Sequence, residues 1–87
     1  FQYVFNSECH FLNGTERVRF VEKHIYNREL FLHFDSDVGH YVGDNPVGER
    51  QAKIWNSQEG ILEEKRAQVD RYCRHNYRLY SPFSVDR

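Results

Sequence analysis

Gly43-Asp44-Asn45-Pro46 is the stretch at which the chain changes its period. Proline is confined to the margins of sheets but fits the first turn of a helix, so the stretch reads as a strand-to-helix break. Upstream, neighbouring side chains alternate between two faces. Gln2 to Leu12 puts Tyr3, Phe5, Ser7, Cys9 and Phe11 on one face, and Gln2, Val4, Asn6, Glu8 and His10 on the other. After Asn13-Gly14, Glu16 to Tyr26 alternates again, with Val18, Phe20, Glu22, His24 and Tyr26 on one face. Asn27-Arg28-Glu29 is a second turn and Leu30 to Phe34 a third strand; Asp35-Ser36-Asp37-Val38-Gly39 turns again into a short strand, His40 to Val42. Tight turns between consecutive strands define a four-stranded antiparallel meander. Downstream, Trp55, Leu62, Val69 and Asn76 recur every seven residues, with Ile54, Ile61, Lys65, Gln68 and Tyr72 beside them. That spacing predicts one long helix over Val47 to Asn76, and Gly60 near its middle predicts a break into segments. The tail Arg78 to Arg87, with Pro82, reads as an exit linker. The fold class is α+β: a four-stranded antiparallel sheet followed by one long segmented helix.

Composition bounds what such a fold can do. The 87 residues amount to one small domain, 39% hydrophobic and 29% charged, with seven Phe, six Tyr and one Trp. A domain of this size buries about 60–65% of its unfolded surface, so extra stabilisation is expected. Net charge is −1, which excludes bulk attraction to nucleic acid or anionic membrane. Arg17, Arg19 and Lys23 lie along one strand face without aromatic interleaving, a weak nucleic-acid signal. No run of 18 apolar residues predicts a transmembrane helix, and Phe1 to Phe5 does not read as a signal peptide. Four strands and one helix leave a bare strand edge, which predicts a partner that continues the sheet.

Cys9 and Cys73 are the only cysteines, 64 positions apart. With His10 and His75 they could be drawn as a zinc set or a Cys–His nucleophile. Adjacent Cys9 and His10 would point to opposite faces of a strand, and no third catalytic group accompanies either pair. A disulfide is the plainer reading and would be worth about 4 kcal/mol for so long a loop. Asn13-Gly14-Thr15 is a glycosylation sequon at a turn, and sequon and disulfide together point to the secretory pathway. The strand faces mix Glu22, His24 and Ser7 with aromatics, as the floor of a groove would. Trp55, Lys65, Gln68, Tyr72, His75 and Asn76 repeat the mixture on the helix, and an Asn amide can donate and accept at once, which suits an extended peptide backbone.

Glu8-Cys9-His10-Phe11-Leu12-Asn13-Gly14-Thr15-Glu16-Arg17-Val18-Arg19, Tyr26-Asn27-Arg28-Glu29, Phe34-Asp35-Ser36-Asp37-Val38-Gly39, Trp55-Asn56-Ser57-Gln58 and Cys73-Arg74-His75-Asn76-Tyr77 closely resemble the membrane-distal domain of MHC class II beta chains. The resemblance spans nearly the whole chain in order. It implies half of a peptide-binding platform, completed by an alpha chain, with an antigenic peptide held between two helical walls for T-cell receptors on CD4 cells. It implies no enzyme activity, cofactor or metal, and no nucleic-acid partner. Invariant chain and a peptide-exchange chaperone are the further partners it implies. Residues 1–87 would then be one domain of a longer single-pass membrane chain of the cell surface and endosomal compartments, its immunoglobulin-like domain and membrane span lying elsewhere.

Residue by residue, Trp55, His75 and Asn76 match positions that hydrogen-bond the peptide main chain. Tyr3, Phe5, Ser7, Phe20, Glu22, His24, Phe31, Tyr41, Gln51, Lys65, Gln68, Tyr72, Leu79, Tyr80 and Phe83 match pocket-lining positions. Cys9 and Cys73 match the domain's disulfide, Asn13 is the glycan position, and Glu63, Ala67 and Arg71 resemble receptor-facing residues. Gln51 stands where many members carry an Asp paired with an alpha-chain Arg, which implies acidic anchors in the last pocket. Tyr80, often Gly or Val in relatives, implies a smaller first pocket, and Lys65 implies acidic or polar anchors at the centre. Two alternatives differ from antigen presentation: a non-classical peptide-exchange relative, and a secreted Cys/His metal or enzyme module.

Overall fold

The computed structural model describes residues 2–12 and 17–80, with side chains through Tyr77. Strands β1 (Tyr3–Leu12), β2 (Arg17–Tyr26), β3 (Glu29–Asp35) and β4 (Tyr41–Gly43) form one antiparallel sheet in the order β1-β2-β3-β4. Pairing of Phe5 with His24, Ser7 with Glu22 and Cys9 with Phe20 puts the two alternating sets from β1 and β2 on one face. Asn27 and Arg28 both take positive φ, 52° and 69°, the two-residue turn whose twist matches a hairpin. The Asn13-Gly14 turn lies outside the described residues.

The β2–β3 ladder carries an irregularity that plain alternation does not predict. His24 pairs with Leu32 and Ile25 with Leu30, so Phe31 is an extra residue on β3. A bulge bends its strand and re-aims the side chain beside it. Strict alternation would send Phe31 away from the helix, yet its ring meets Tyr3 at 6.0 Å and His24 at 6.4 Å on the helix side.

Helix α1 (Pro46–Asn56) starts where the period changes, with the Asn45 side chain accepting from the Gly48 N–H at 2.8 Å. The first break falls at Ser57-Gln58, and Gly60 sits inside α2 (Glu59–Arg66). The cause is side-chain competition. The Asn56 carboxamide is drawn to the backbone of Tyr41, accepting from its N–H at 2.8 Å and donating to its carbonyl at 2.9 Å. The Ser57 hydroxyl donates to the Ile54 carbonyl at 2.7 Å, a local bond that competes with helix propagation. After α2 comes a wide, π-helical segment, Val69–Arg74, then α3 (His75–Tyr80). The π-helical segment carries the fully buried Cys73 to Cys9, and the two are joined in a disulfide.

Val18, Phe20, Leu32, Phe34, Tyr41, Ala52, Leu62 and Cys73 form the core between sheet and helix. The α1 end is seated by contact between backbones. A Cβ on Gly48 would lie 1.6 Å from the Phe31 carbonyl oxygen, and one on Gly43 would lie 2.3 Å from the Glu49 nitrogen. Among the described residues no helix is long and apolar enough to cross a membrane.

Candidate functional site

The helical run crosses the sheet on a diagonal. α1 packs on β4 and β3, the π-helical segment on β2, and the disulfide reaches β1. The first half of β1 is therefore left uncovered, with Tyr3 53% and Phe5 58% exposed. The result is a ledge: a helical wall on one side, an aromatic floor beside it, and an open strand edge beyond. A long edge strand with exposed apolar side chains is an association surface.

Glu22 is the hub of the floor, only 3% exposed. Its carboxylate accepts from Lys65 Nζ at 2.7 Å, from His24 Nε2 at 2.6 Å and from the Tyr41 hydroxyl at 3.3 Å. A carboxylate only accepts, so His24 Nε2 carries a proton and donates to Glu22, while Nδ1 is in hydrogen-bond contact with the Tyr3 hydroxyl. One polar chain thus runs from the edge strand, through Tyr3, His24 and Glu22, to Lys65 on the wall. Burial alone would raise the Glu22 carboxyl; the hydrogen bonds from His24 and Lys65 outweigh it and hold the group below its ordinary value. Burial, and then the Glu22 charge, push the Tyr41 and Tyr3 phenols up. The His24 ring is packed from several sides, with Phe5 stacked on it at 5.6 Å and Trp55 tilted at 5.5 Å.

The structure brings Tyr3, Phe5, Glu22, His24, Phe31, Tyr41, Trp55 and Lys65 into this one cluster. Ser7 is exposed on the floor opposite Glu22, and Gln51 is half-buried on α1. Tyr72 stands edge-on to Phe20 at 6.1 Å. Phe20 and Tyr41 are 2% and 3% exposed, so the chain itself already covers them, and they belong to the core between sheet and helix. The Gln68 amide donates to Glu64 at 2.8 Å, as does Arg71, which ties both to the upper side of the wall. Glu63 and Arg71 are exposed and Ala67 half-buried. His75 is exposed and Asn76 half-buried; among the described residues neither side chain, nor the Trp55 indole N–H, takes part in a hydrogen bond. Asn13 and Phe83 lie outside the described residues, as do the side chains of Leu79 and Tyr80.

Two charged groups read differently once folded. The Lys65 ammonium is matched by Glu22, so it does not present a free positive charge to the floor. On the far face of the sheet, Arg17 makes a bidentate pair with Asp37 at 3.1 and 2.9 Å, Arg19 is bound to Asp35, and Lys23 lies 3.1 Å from Glu8. The basic row along β2 is neutralised. The Arg19 guanidinium holds the Asp35 carboxyl below its usual range. Both cysteine sulfurs are consumed by the disulfide, which removes the thiolate that a zinc set or nucleophile requires. Among the described residues no three His, Cys, Asp or Glu side chains converge as a metal set.

The sequence did not reveal a recess at the α1 end of the floor, of about 250 Å³, lined by Tyr3, Tyr26, Glu29, Phe31, Asn45 and Val47. Tyr26 reads there as the last residue on one face of the second strand, and Glu29 as the end of a turn. The Phe31 bulge and the seating of α1 through Gly48 bring them together with the others.

A sheet that carries one segmented helix across half its face, with the floor running out to an open edge strand, defines an open α+β platform. The family described as class II histocompatibility antigen, beta domain, matches residues 1–81, and the chain belongs to that family. It is 52% identical over 87 residues to the class II histocompatibility antigen B-L beta chain of Gallus gallus, covering 100% of this chain and 38% of that one. It is 55% identical over 87 residues to the DLA class II DR-1 beta chain of Canis lupus familiaris, covering 100% and 33%. With the H-2 class II E-D beta chain of Mus musculus the identity is 57% over 86 residues, covering 99% and 32%. The chain thus spans about a third of the length of the curated relatives it matches.

Proposed function

We propose that this domain is one half of a peptide-binding cleft, that an alpha chain completes it along the β1 edge, and that the assembled protein presents peptides to T-cell receptors without catalysing a reaction. The observation that carries this reading is the row of uncommitted polar groups along the wall. Trp55 is half-buried with its ring on His24 and Tyr41, and its indole N–H has no partner among the described residues. The His75 and Asn76 side chains are likewise unengaged, while Asn56 nearby is fully committed to Tyr41. Donors and acceptors held at fixed intervals beside an aromatic floor suit an extended main chain, whose own N–H and C=O groups recur regularly and ignore sequence. The exposed outer side of the helix, including Glu63 and Arg71, is the surface a receptor would read. Invariant chain, an exchange chaperone and a membrane anchor follow from the family. Intact Trp55, His75 and Asn76 favour peptide holding over peptide exchange.

The test is to assemble the full beta chain with an alpha chain, elute and sequence what it holds, and compare Asn76→Ala with the parent. A main-chain contact predicts faster release of unrelated peptides by similar factors, about 2- to 13-fold for one neutral hydrogen bond. An assembled heterodimer with no peptides in the eluate would refute the reading. A loss confined to one peptide sequence would refute the main-chain role of Asn76.

A further inference from the structure

Tyr41 holds two consecutive residues at the end of α1, each through a different part of itself. Its ring meets the Trp55 ring at 5.0 Å and an angle of 57°. Its backbone N–H donates to Asn56 Oδ1 at 2.8 Å, and its carbonyl accepts from Asn56 Nδ2 at 2.9 Å. A primary amide offers donor and acceptor side by side, as a residue of a neighbouring strand would, so Asn56 occupies the outer edge of β4. The anchor itself is fixed: Tyr41 is buried and its hydroxyl donates to Glu22 at 3.3 Å.

Trp55 sits where a hold of this kind matters. It is the last residue but one of α1, and the helix is already tightening into i→i+3 bonds there. The Ser57 N–H donates to the Ile54 carbonyl at 3.3 Å and the Gln58 N–H to the Trp55 carbonyl at 3.1 Å. Helix ends fray, and fraying would carry the indole with it. The ring contacts of Trp55 with Tyr41 and His24 tolerate a range of angles, whereas two hydrogen bonds from one rigid amide fix position and direction together. We infer that Asn56 is a positioning residue for the bound peptide: by clamping the end of α1 to β4, it keeps the Trp55 indole N–H at one place beside the floor. The inference rests on the cleft reading above. The Asn56 amide is committed to Tyr41, so it acts through Trp55 and not by touching the peptide.

The test follows release of one peptide, eluted from the assembled heterodimer and resynthesised with a fluorescent label. Release is compared in wild type, Asn56→Ala, Trp55→Phe and the double variant; Trp55→Phe keeps an aromatic ring and removes the N–H. Each single change should speed release by about 2- to 13-fold, the worth of one neutral hydrogen bond. The double variant should release no faster than the faster single one, because both changes remove the same contact. Asn56→Ala and Asn76→Ala should instead multiply, because they act on separate contacts. An unchanged rate in Asn56→Ala, or effects of Asn56→Ala and Trp55→Phe that multiply, overturns the inference and leaves the cleft reading standing. Failure to multiply with Asn76→Ala overturns it in favour of a general loosening of the wall. If Asn56→Ala does not assemble, Asn56→Asp, which keeps the acceptor for the Tyr41 N–H, is judged in the same cycle by the same outcomes. Unchanged release in Trp55→Phe overturns the Trp55 contact and the inference with it, and a heterodimer that yields no peptide overturns the cleft reading itself.

Discussion

Replacing Glu22 by Gln tests the floor network most directly. The change keeps side-chain volume but removes the charge that faces Lys65 Nζ at 2.7 Å and one of the acceptor oxygens shared by His24 and Tyr41. Breaking a buried pair by removing one partner costs about 3–5 kcal/mol. Lys65 remains 25% exposed and can turn its ammonium toward water, which lowers the expectation to about 1.5–3 kcal/mol. Lys65→Met should cost at least as much, because it strands a carboxylate whose side chain is only 4% exposed. The double variant should cost less than the sum by about 1–2 kcal/mol, since neither charge is then left alone. The pH dependence has a definite sign. The folded Glu22 carboxyl lies below its ordinary value, so its contribution is complete above the unfolded value of about 4.3 and is lost as pH falls through the folded one. The gap between wild type and Glu22→Gln should therefore close as pH falls through the carboxylate range, below about pH 4. Urea denaturation of the assembled protein at fixed protein and peptide concentration, followed by Trp55 fluorescence, reads all of this. A cost under about 0.5 kcal/mol, strict additivity with Lys65→Met, or a gap that persists well below the carboxylate range would refute the reasoning.

The two helical glycines should respond oppositely. Gly48→Ala forces a Cβ to within 1.6 Å of the Phe31 carbonyl oxygen, so it should cost 3 kcal/mol or more (roughly) or prevent assembly. Gly60→Ala meets no atom within 4 Å and should stabilise by about 0.5–1 kcal/mol; equal denaturation midpoints for the two variants would contradict the close-approach account. Removing the disulfide with a Cys9→Ser/Cys73→Ser pair should cost about 4 kcal/mol and loosen the π-helical segment first, visible as faster amide exchange over Val69–Arg74 than over α1. Uniform loss of protection would argue that the bond holds the whole domain rather than that segment. The effect expected of Asn76→Ala on peptide release completes the set.

Features set by local pattern were open to reading from the sequence. Strands β1 and β2 alternate with period two, so one face of each could be assigned without knowing the fold. Asn45-Pro46 marks the start of α1 through the chemistry of a helix's first turn, and a pair of lone cysteines names its own bond. The polar and aromatic residues of the floor stood out because a simple core would not mix them. Contacts between distant segments were not open in this way. The helix breaks at Ser57 rather than Gly60 because the Asn56 side chain bonds to Tyr41, 15 positions away. Phe31 reaches the floor only because a bulge reverses its side of β3. The pairing of Lys65 with Glu22, 43 positions earlier, appears only in the fold, as does the pairing of the basic row of β2 with Asp35, Asp37 and Glu8. Periodicity and turn chemistry act over a few residues, so one chain displays them directly. Charge pairing, bulge direction and the lining of a recess depend on which elements meet, and packing decided those.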